Sequence, residues 1–186
     1  TIREDDQVIG VRLTDGNKDI ILASRNGRAI RFNETDVRPM GRTATGVRGM
    51  TLDADGDYVV GMIGMKTDST DQSILVVSEQ GYGKRTLLND EDGEPVYRIT
   101  RRGGKGVKTL NVTDKTGKLV AIKSVSQDND LMIINKSGIT IRVNISDIRL
   151  QGRATQGVRL INLDKRNDEI ASVCKVNNTE EEMDED

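Results

Sequence analysis

The chain has 186 residues, with 28 Lys and Arg against 30 Asp and Glu, and it contains no His. This length fits one domain or one array of small repeated units. The lack of His excludes imidazole bases, Ser-His-Asp triads and His-ligated metal sites. One Phe, three Tyr and no Trp leave few aromatic rings for stacking on bases. The single cysteine, Cys174, cannot form an intramolecular disulfide and suggests a reducing compartment.

The charge is distributed unevenly along the chain. Six of the acidic residues lie in the last seven positions, so the rest of the chain has 28 cationic side chains against 24 acidic ones. A basic body of this kind favours polyanionic partners. We expect the acidic tail, 177–186, to be disordered. It either keeps the chain in solution or competes with a polyanion for the basic surface.

The ends of the chain carry no targeting signal. There is no apolar run of about 18 residues and no apolar segment typical of a signal peptide, which predicts neither a membrane span nor secretion. Thr1 opens no recognisable start signal, so we interpret the sequence as a piece of a longer chain that acts in the cytoplasm.

Three copies of one pattern follow each other along the chain. In each copy an apolar run ends at a Gly that is preceded by Asn, Gln or Ser, in segments 20–27, 74–81 and 131–138. Such pairs are typical of tight hairpins, because the Gly adopts a positive φ. An Arg follows each Gly after four residues, at Arg31, Arg85 and Arg142.

A Gly-rich turn of six residues comes later in every copy, at 41–46, 101–106 and 152–157. Each turn is followed by Val and then by a cation, and another Arg stands eight residues before the closing Gly. Every copy therefore has four cations at matching positions. These twelve residues are Arg31, Arg38, Arg42 and Arg48, then Arg85, Arg98, Arg102 and Lys108, then Arg142, Arg149, Arg153 and Arg159.

The spacing predicts about four short strands in each unit of 50 to 60 residues, which are the dimensions of a propeller-like blade. We divide the chain into the last strand of a preceding blade (1–13), three blades (14–66, 67–126 and 127–176) and the tail (177–186). A propeller needs roughly four to eight blades, so three blades predict an open arc of a larger disc. The fold class is all-β.

Two interpretations of the repeated cations remain open. Equivalent positions in stacked blades lie on equivalent faces, so the cations form stripes along one rim, where the planar guanidinium of Arg binds phosphate oxygens. Alternatively, one Arg in each unit pairs with a repeated Asp to brace the blade, and Asp36, Asp90 and Asp147 are the candidates.

The middle turn is the strongest local signal. Arg101, Arg102 and Lys105 alternate with Gly103, Gly104 and Gly106 in six consecutive residues. Glycines let the backbone approach a polyanion and expose its N–H groups, while the cations attract and hold phosphate. This turn predicts a phosphate-binding loop.

The same six residues resemble the gyrase-A box, the signature of the C-terminal domain of the bacterial DNA gyrase A protein. Other phrases that are similar to this family stand at 26–27, 31–32, 45–49 and 152–158, and at 81–86, which includes Lys84 and Arg85. The resemblance covers residues 5 to 178. The family's box begins with Gln, where this chain has Thr100, and it lies in the first blade. We therefore interpret the turn at 101–106 as an additional copy and expect the main box upstream of Thr1.

The resemblance implies a β-pinwheel, a disc of about six blades that exchange strands, with duplex DNA bent around a basic rim without sequence preference. It implies a chiral wrap that supports ATP-dependent negative supercoiling by a type II topoisomerase, in which gyrase A and gyrase B proteins form an A2B2 assembly. The chain itself is then non-catalytic, and ATP and Mg²⁺ act elsewhere in the holoenzyme. Two alternatives stay open: the related domain of topoisomerase IV, and a propeller-like scaffold that binds an acidic protein. The residues assigned to DNA binding are the twelve repeated cations with Lys84, Arg101, Gly103, Gly104, Lys105 and Gly106.

Overall fold

The computed structural model describes residues 1–163 and 168–177, and these residues form short β-strands joined by turns. The strands are β1 Lys18–Ser24, β2 Arg28–Asn33, β3 Val59–Lys66, β4 Ser73–Ser78, β5 Tyr82–Leu87, β6 Val107–Lys108, β7 Leu119–Val125, β8 Asn129–Asn135, β9 Thr140–Asn144, β10 Val158–Arg159 and β11 Ile170–Asn177. Single turns of 3-10 helix lie at Glu34–Asp36 and Ile145–Asp147. No helix in the part of the chain that the structure describes is long and apolar enough to cross a membrane.

The predicted tight turns connect the hairpins β1–β2, β4–β5 and β8–β9. Gly27, Gly81 and Gly138 have φ of +80°, +77° and +87°, a backbone region that residues with a Cβ rarely adopt. The apolar runs before these glycines form β1, β4 and β8. β4 is buried at all six positions, as expected for a strand that is covered on both faces.

The strands form three antiparallel sheets, two of which borrow a strand from the next unit. The sheet orders are β3-β1-β2-β6, β10-β5-β4-β7 and β11-β8-β9. β6 follows the middle Gly-rich turn but pairs with β2 of the preceding unit, and β10 pairs with β5 in the same way. The third sheet has three strands, because no described segment pairs with the free edge of β9.

The sheets pack face to face around two apolar clusters. One cluster joins the first two sheets through residues such as Ile21, Ile63, Ile74 and Leu119, and it includes the buried ring of Tyr97. The second cluster joins the second and third sheets. Val, Ile and Leu supply most of both cores, as the scarcity of aromatic residues predicts.

The prediction of an all-β, propeller-like open arc is confirmed. The strand expected at Val8–Leu13 is wrong for this structure, because residues 1–17 contain no strand and Leu13 is 93% exposed. A strand needs a partner for its N–H and C=O groups, and the matching inner positions of the three sheets are taken by β3, β7 and β11. Cys174 is exposed on β11. The division of the chain into blades stays a prediction, and the tail beyond Asn177 lies outside the described residues.

Candidate nucleic-acid interface

The outer edge of the arc is set by the strand order. β3, β7 and β11 lie at one edge of their sheets, while β6, β10 and β9 lie at the opposite edge. The Gly-rich turns at 101–106 and 152–157 directly precede β6 and β10. Both turns are therefore placed at this outer edge.

Along the outer edge, backbone hydrogen bonds connect each unit to the Gly-rich turn of the next unit. The N–H of Gly103 donates to the carbonyl of Gly49 at 2.8 Å, and the N–H of Thr51 donates to the carbonyl of Gly104 at 2.9 Å. One unit further, the N–H of Asn111 donates to the carbonyl of Thr155 at 3.0 Å. The segment after each Gly-rich turn thus contacts the next Gly-rich turn, and the three turns form one continuous strip.

The closing glycines let each turn lie close to the sheet of the preceding unit. Gly106 and Gly157 have φ of +71° and +79°. A Cβ at Gly106 would collide with the carbonyl of Ala29 on β2, and one at Gly157 would lie 2.6 Å from the carbonyl oxygen of Gly83 on β5. Only Gly fits these positions without a backbone shift.

The Arg at the second position of the middle and third turns, Arg102 or Arg153, bridges two units. Arg102 donates from Nη1 to the carbonyl of Arg48 at 2.6 Å, and Arg153 donates from Nη1 to the carbonyl of Lys108 at 2.5 Å. Arg48 and Lys108 hold the same position in their units, so the contact repeats. Both guanidinium groups are half-buried and hold neighbouring turns together while their charge stays at the edge.

Nine predicted cations are exposed and belong to this outer strip, and with Arg102 and Arg153 we call them the rim. The nine are Arg38, Arg42, Arg48, Arg98, Arg101, Lys105, Lys108, Arg149 and Arg159. Arg98 and Arg149 lie next to residues 99 and 150, which form isolated bridges with Arg31 on β2 and Arg85 on β5. Arg38, Arg42, Arg98, Arg101 and Arg149 have no side-chain hydrogen bond or ion pair to any residue that the structure describes.

Three exposed rim cations are engaged by neighbouring side chains, and one of them, Lys108, donates to the side-chain oxygen of Asn111 at 3.3 Å. Lys105 lies 3.0 Å from Asp53, which also pairs with Arg28. The hydrogen bond from Lys105, with the charges of both cations, lowers the pKa of the exposed Asp53 carboxyl. Arg159 donates to the hydroxyl of Tyr82 at 3.2 Å and lies 5.5 Å from the centre of its ring. Part of the charge of Lys105 is therefore already balanced.

Arg31 is buried, which corrects its assignment to DNA binding. Its side chain is 1% exposed and pairs with Asp19 at 2.7 Å, while Asn33 donates to the other carboxylate oxygen at 3.1 Å. Arg142 repeats this arrangement with Asp130 at 2.5 Å, but its side chain is 58% exposed. The bracing partner is thus an Asp twelve residues upstream, and the predicted candidates Asp36, Asp90 and Asp147 are wrong.

Arg85 is also buried, so its predicted contact with DNA is corrected in the same way. The position that Asp19 and Asp130 hold in their sheets is occupied by Ser73 in the second sheet. Arg85 therefore has no such carboxylate and donates from Nε to the carbonyl of Ile148 at 2.6 Å. Burial lowers the pKa of its guanidinium.

Lys84 is the third assigned cation that the structure buries. It is 0% exposed, and its Nζ donates to the carbonyls of Gly152, Arg153 and Thr155 from beneath the third turn. The prediction that its ammonium group contacts DNA directly is therefore corrected. The sequence already indicated a buried position, because the other two units have the apolar residues Ile30 and Ile141 where this unit has Lys84.

The family model described as "DNA gyrase C-terminal domain, beta-propeller" matches residues 18–63, 72–126 and 129–177. The DNA gyrase A protein of Staphylococcus aureus strain MRSA252 is 46% identical over 186 residues, and that of strain NCTC 8325 is 46% identical over 187 residues. Both alignments cover 100% of this chain but only 20% of the relative, so the chain spans a fifth of the length of these relatives.

Solved structures with the same fold come from two related enzymes. The C-terminal domain of a DNA topoisomerase IV superposes with a TM-score of 0.83 at 27% identity, over 95% of this chain and 52% of that one. A DNA gyrase A C-terminal domain superposes with a TM-score of 0.79 at 28% identity, over 95% and 56%. The family model, these structures and the repeated Gly-rich turns agree, and the chain belongs to the DNA gyrase A C-terminal domain family.

Proposed function

We propose that this chain binds duplex DNA along the rim without sequence preference and bends it into a chiral wrap. Phosphates contact the exposed Arg and Lys side chains and the backbone of the Gly-rich turns. The wrap presents a DNA segment to the cleavage core of a type II topoisomerase, so that ATP-driven strand passage introduces negative supercoils.

One observation carries this proposal: backbone hydrogen bonds join the segment that follows one Gly-rich turn to the next Gly-rich turn, and the resulting strip displays Arg at repeated positions. Arg98 and Arg149 are exposed at the same place in successive units and have no partner among the described side chains. Evenly repeated cations on a curved edge match evenly repeated phosphates on a bent duplex.

The energetics favour many weak phosphate contacts. Bending a short duplex by 40–90° costs about 1–6 kcal/mol, so the contacts have to be spread along an arc. If about six rim cations meet phosphates, log K falls with log salt at a slope near −5, and affinity drops roughly a thousandfold between 50 and 200 mM salt.

The side chains of the rim do not favour base reading. The chain has only one Phe and three Tyr that could stack on bases. Tyr97 is 0% exposed and donates to or accepts from Thr109 at 2.6 Å, so this ring is part of the core. Contacts to phosphates position DNA but carry no sequence information.

The wider enzyme follows from membership of the family. We propose that the chain acts as the C-terminal part of a gyrase A protein, which assembles with gyrase B in the composition A2B2. ATP and Mg²⁺ then bind elsewhere in that assembly, and the chain works on chromosomal DNA in the cytoplasm.

The related domain of topoisomerase IV is the second candidate, because a solved example of it superposes with a TM-score of 0.83. The 46% identity to gyrase A proteins over the whole chain favours the gyrase assignment. The resemblance of residues 101–106 to the gyrase-A box supports the same choice.

The experiment that tests the proposal measures binding of duplexes of 15, 30, 60 and 120 base pairs at several salt concentrations. We expect affinity to rise with length until the duplex spans the rim, with a salt slope near −5 for the longer duplexes. A scaffold that binds an acidic protein predicts weak binding that does not depend on length, and that result would reject the wrap.

A further inference from the structure

The third Gly-rich turn lies on a buried ammonium group. The Nζ of Lys84 donates to the carbonyl oxygens of Gly152 at 2.7 Å, Arg153 at 2.5 Å and Thr155 at 3.0 Å, with the Thr155 hydroxyl at 3.1 Å. An ammonium group has three N–H donors, so the three carbonyls can use all of them. No carboxylate among the described residues pairs with Lys84, and its charge is balanced by backbone dipoles and the Thr155 hydroxyl.

The inward carbonyls determine where the N–H groups of the turn point. In a trans peptide the N–H is antiparallel to the C=O of the preceding residue. Because the carbonyls of residues 152, 153 and 155 point at Lys84, the N–H groups of Arg153, Ala154 and Gln156 point away from it. Gly152, Ala154 and Thr155 are exposed, so this outer side faces solvent. These N–H groups have no acceptor among the described residues, so they are donors that an anion on the outer side can use.

The middle turn is supported differently. Counted from the hairpin glycines, Lys84 corresponds to Ile30 in the first unit and to Ile141 in the third. The middle turn packs on Ile30, and a Cβ at Gly104 would lie 3.5 Å from the Cδ1 atom of Ile30. An apolar side chain thus supports an equivalent turn in the same chain, and packing alone does not require a lysine here.

The lysine is costly for the fold. Burial lowers the pKa of Lys84 to about 8, and the positive charge of Arg153 acts in the same direction. Arg153 is the charged group that faces Lys84 from the turn. Moving a charged group out of water carries a desolvation cost that an apolar residue of similar size does not have. A charge kept at this cost points to a role in binding.

We propose that residues 152–157 form a phosphate-binding site for the DNA backbone, and that Lys84 is its positioning residue. The ammonium group holds three carbonyls inward, turns the N–H groups of Arg153, Ala154 and Gln156 outward to the DNA backbone, and adds positive potential from beneath. This inference rests on the proposed function, because the phosphate belongs to DNA bound along the rim.

The test compares the wild-type chain with Lys84→Met and with Ile141→Met, which changes the equivalent, partly buried position of the third unit. Binding to a 60-base-pair duplex is measured against salt, and amide chemical shifts are recorded with a 12-base-pair duplex. For Lys84→Met we expect affinity on the order of tenfold lower and a salt slope smaller by one to two. In Lys84→Met, the changes in amide chemical shift that DNA binding causes at 153, 154 and 156 should disappear. In Ile141→Met these changes should remain.

A pH series separates positioning from packing, because it removes the charge of Lys84 in the wild-type chain without changing the side chain. Raising the pH from 7 to 9.5 passes the pKa of Lys84, which is about 8, and neutralises its ammonium group. Wild-type affinity should fall in this range, and the affinity of Lys84→Met should stay level. The role of Lys84 would be overturned if affinity changed equally with pH in both proteins. It would also be overturned if the salt slope of DNA binding in Lys84→Met equalled that of wild type. Loss of salt and length dependence in the wild-type chain would instead reject the proposed function.

Discussion

Arg31 and Asp19 form an ion pair in the first sheet in which the two side chains are 1% and 0% exposed. The guanidinium also donates to the carbonyl of Tyr97 at 3.0 Å and to the carbonyl of Thr67 at 3.1 Å. One pair therefore ties β1 and β2 to the segments on either side of the second hairpin. The pair of Arg142 with Asp130 has the same geometry, but there the guanidinium is 58% exposed and only the carboxylate is buried.

We expect Asp19→Asn to lower the free energy of unfolding by about 3 kcal/mol, because it leaves the buried Arg31 charge without its carboxylate. Asp130→Asn is the matched control, and an exposed pair contributes less than about 1 kcal/mol. Urea denaturation of both variants measures the difference. Equal losses would show that burial does not set the strength of the pair.

A second prediction concerns the closing glycines. Gly157→Ala places a Cβ 2.6 Å from the Gly83 carbonyl oxygen and forces a positive φ on Ala. We therefore expect the free energy of unfolding to fall by about 3 kcal/mol. Gly46 has a φ of +86° but nothing within 4 Å of its added Cβ. Gly46→Ala should therefore cost about 1 kcal/mol. Thermal unfolding compares the two, and a Gly46→Ala loss as large as that of Gly157→Ala would refute the close approach.

The stability of the chain should depend on pH through Lys84. Its folded pKa of about 8 lies below its usual value of 10.5, so between these values the unfolded chain binds more protons. Stability from this group therefore rises with pH across that window, by about 3 kcal/mol at most. Denaturation at pH 7 and pH 10 should show the rise in wild type and not in Lys84→Met. If the free energy of unfolding rose equally in both proteins, the rise would come from groups other than Lys84.

Single rim cations should contribute to binding but little to stability. We expect Arg98→Ala and Arg149→Ala each to reduce the salt slope of DNA binding by about one, with unfolding changed by less than about 0.5 kcal/mol. Lys66→Ala is the control, since Lys66 is exposed on β3 at the opposite edge of the first sheet. A slope that falls equally for Lys66→Ala would show that DNA does not follow the rim.

The repeat made much of the architecture predictable. The hairpin glycines, the three Gly-rich turns and the exposed Arg98 and Arg149 follow from spacing alone, because equivalent residues fold alike. Asp19 and Asp130 also carried a readable signal, as each directly precedes an apolar run and lies twelve residues before an Arg. From that spacing, Arg31 and Arg142 could have been predicted to pair with Asp and not to belong to the rim.

Other features depend on contacts between units that the sequence does not display. The bonds from Arg102 to the Arg48 carbonyl and from Arg153 to the Lys108 carbonyl use backbone acceptors of the preceding unit, which any residue supplies. The sequence also does not show that β6 and β10 pair with strands of the preceding unit. Each is a Val followed by a cation, and this short pattern could pair with the sheet of its own unit equally well. The unpaired segment at Val8–Leu13 shows that a strand pattern needs a partner.

The most direct test of the wrap is ligation of nicked circular DNA in the presence of saturating chain, followed by separation of topoisomers. We expect wild type to shift the linking number in one direction, and the combined Arg38→Ala, Arg98→Ala and Arg149→Ala variant to lose most of that shift. Lys66→Ala should retain it. A wild-type topoisomer distribution identical to that of protein-free DNA, at concentrations where binding is complete, would contradict the account.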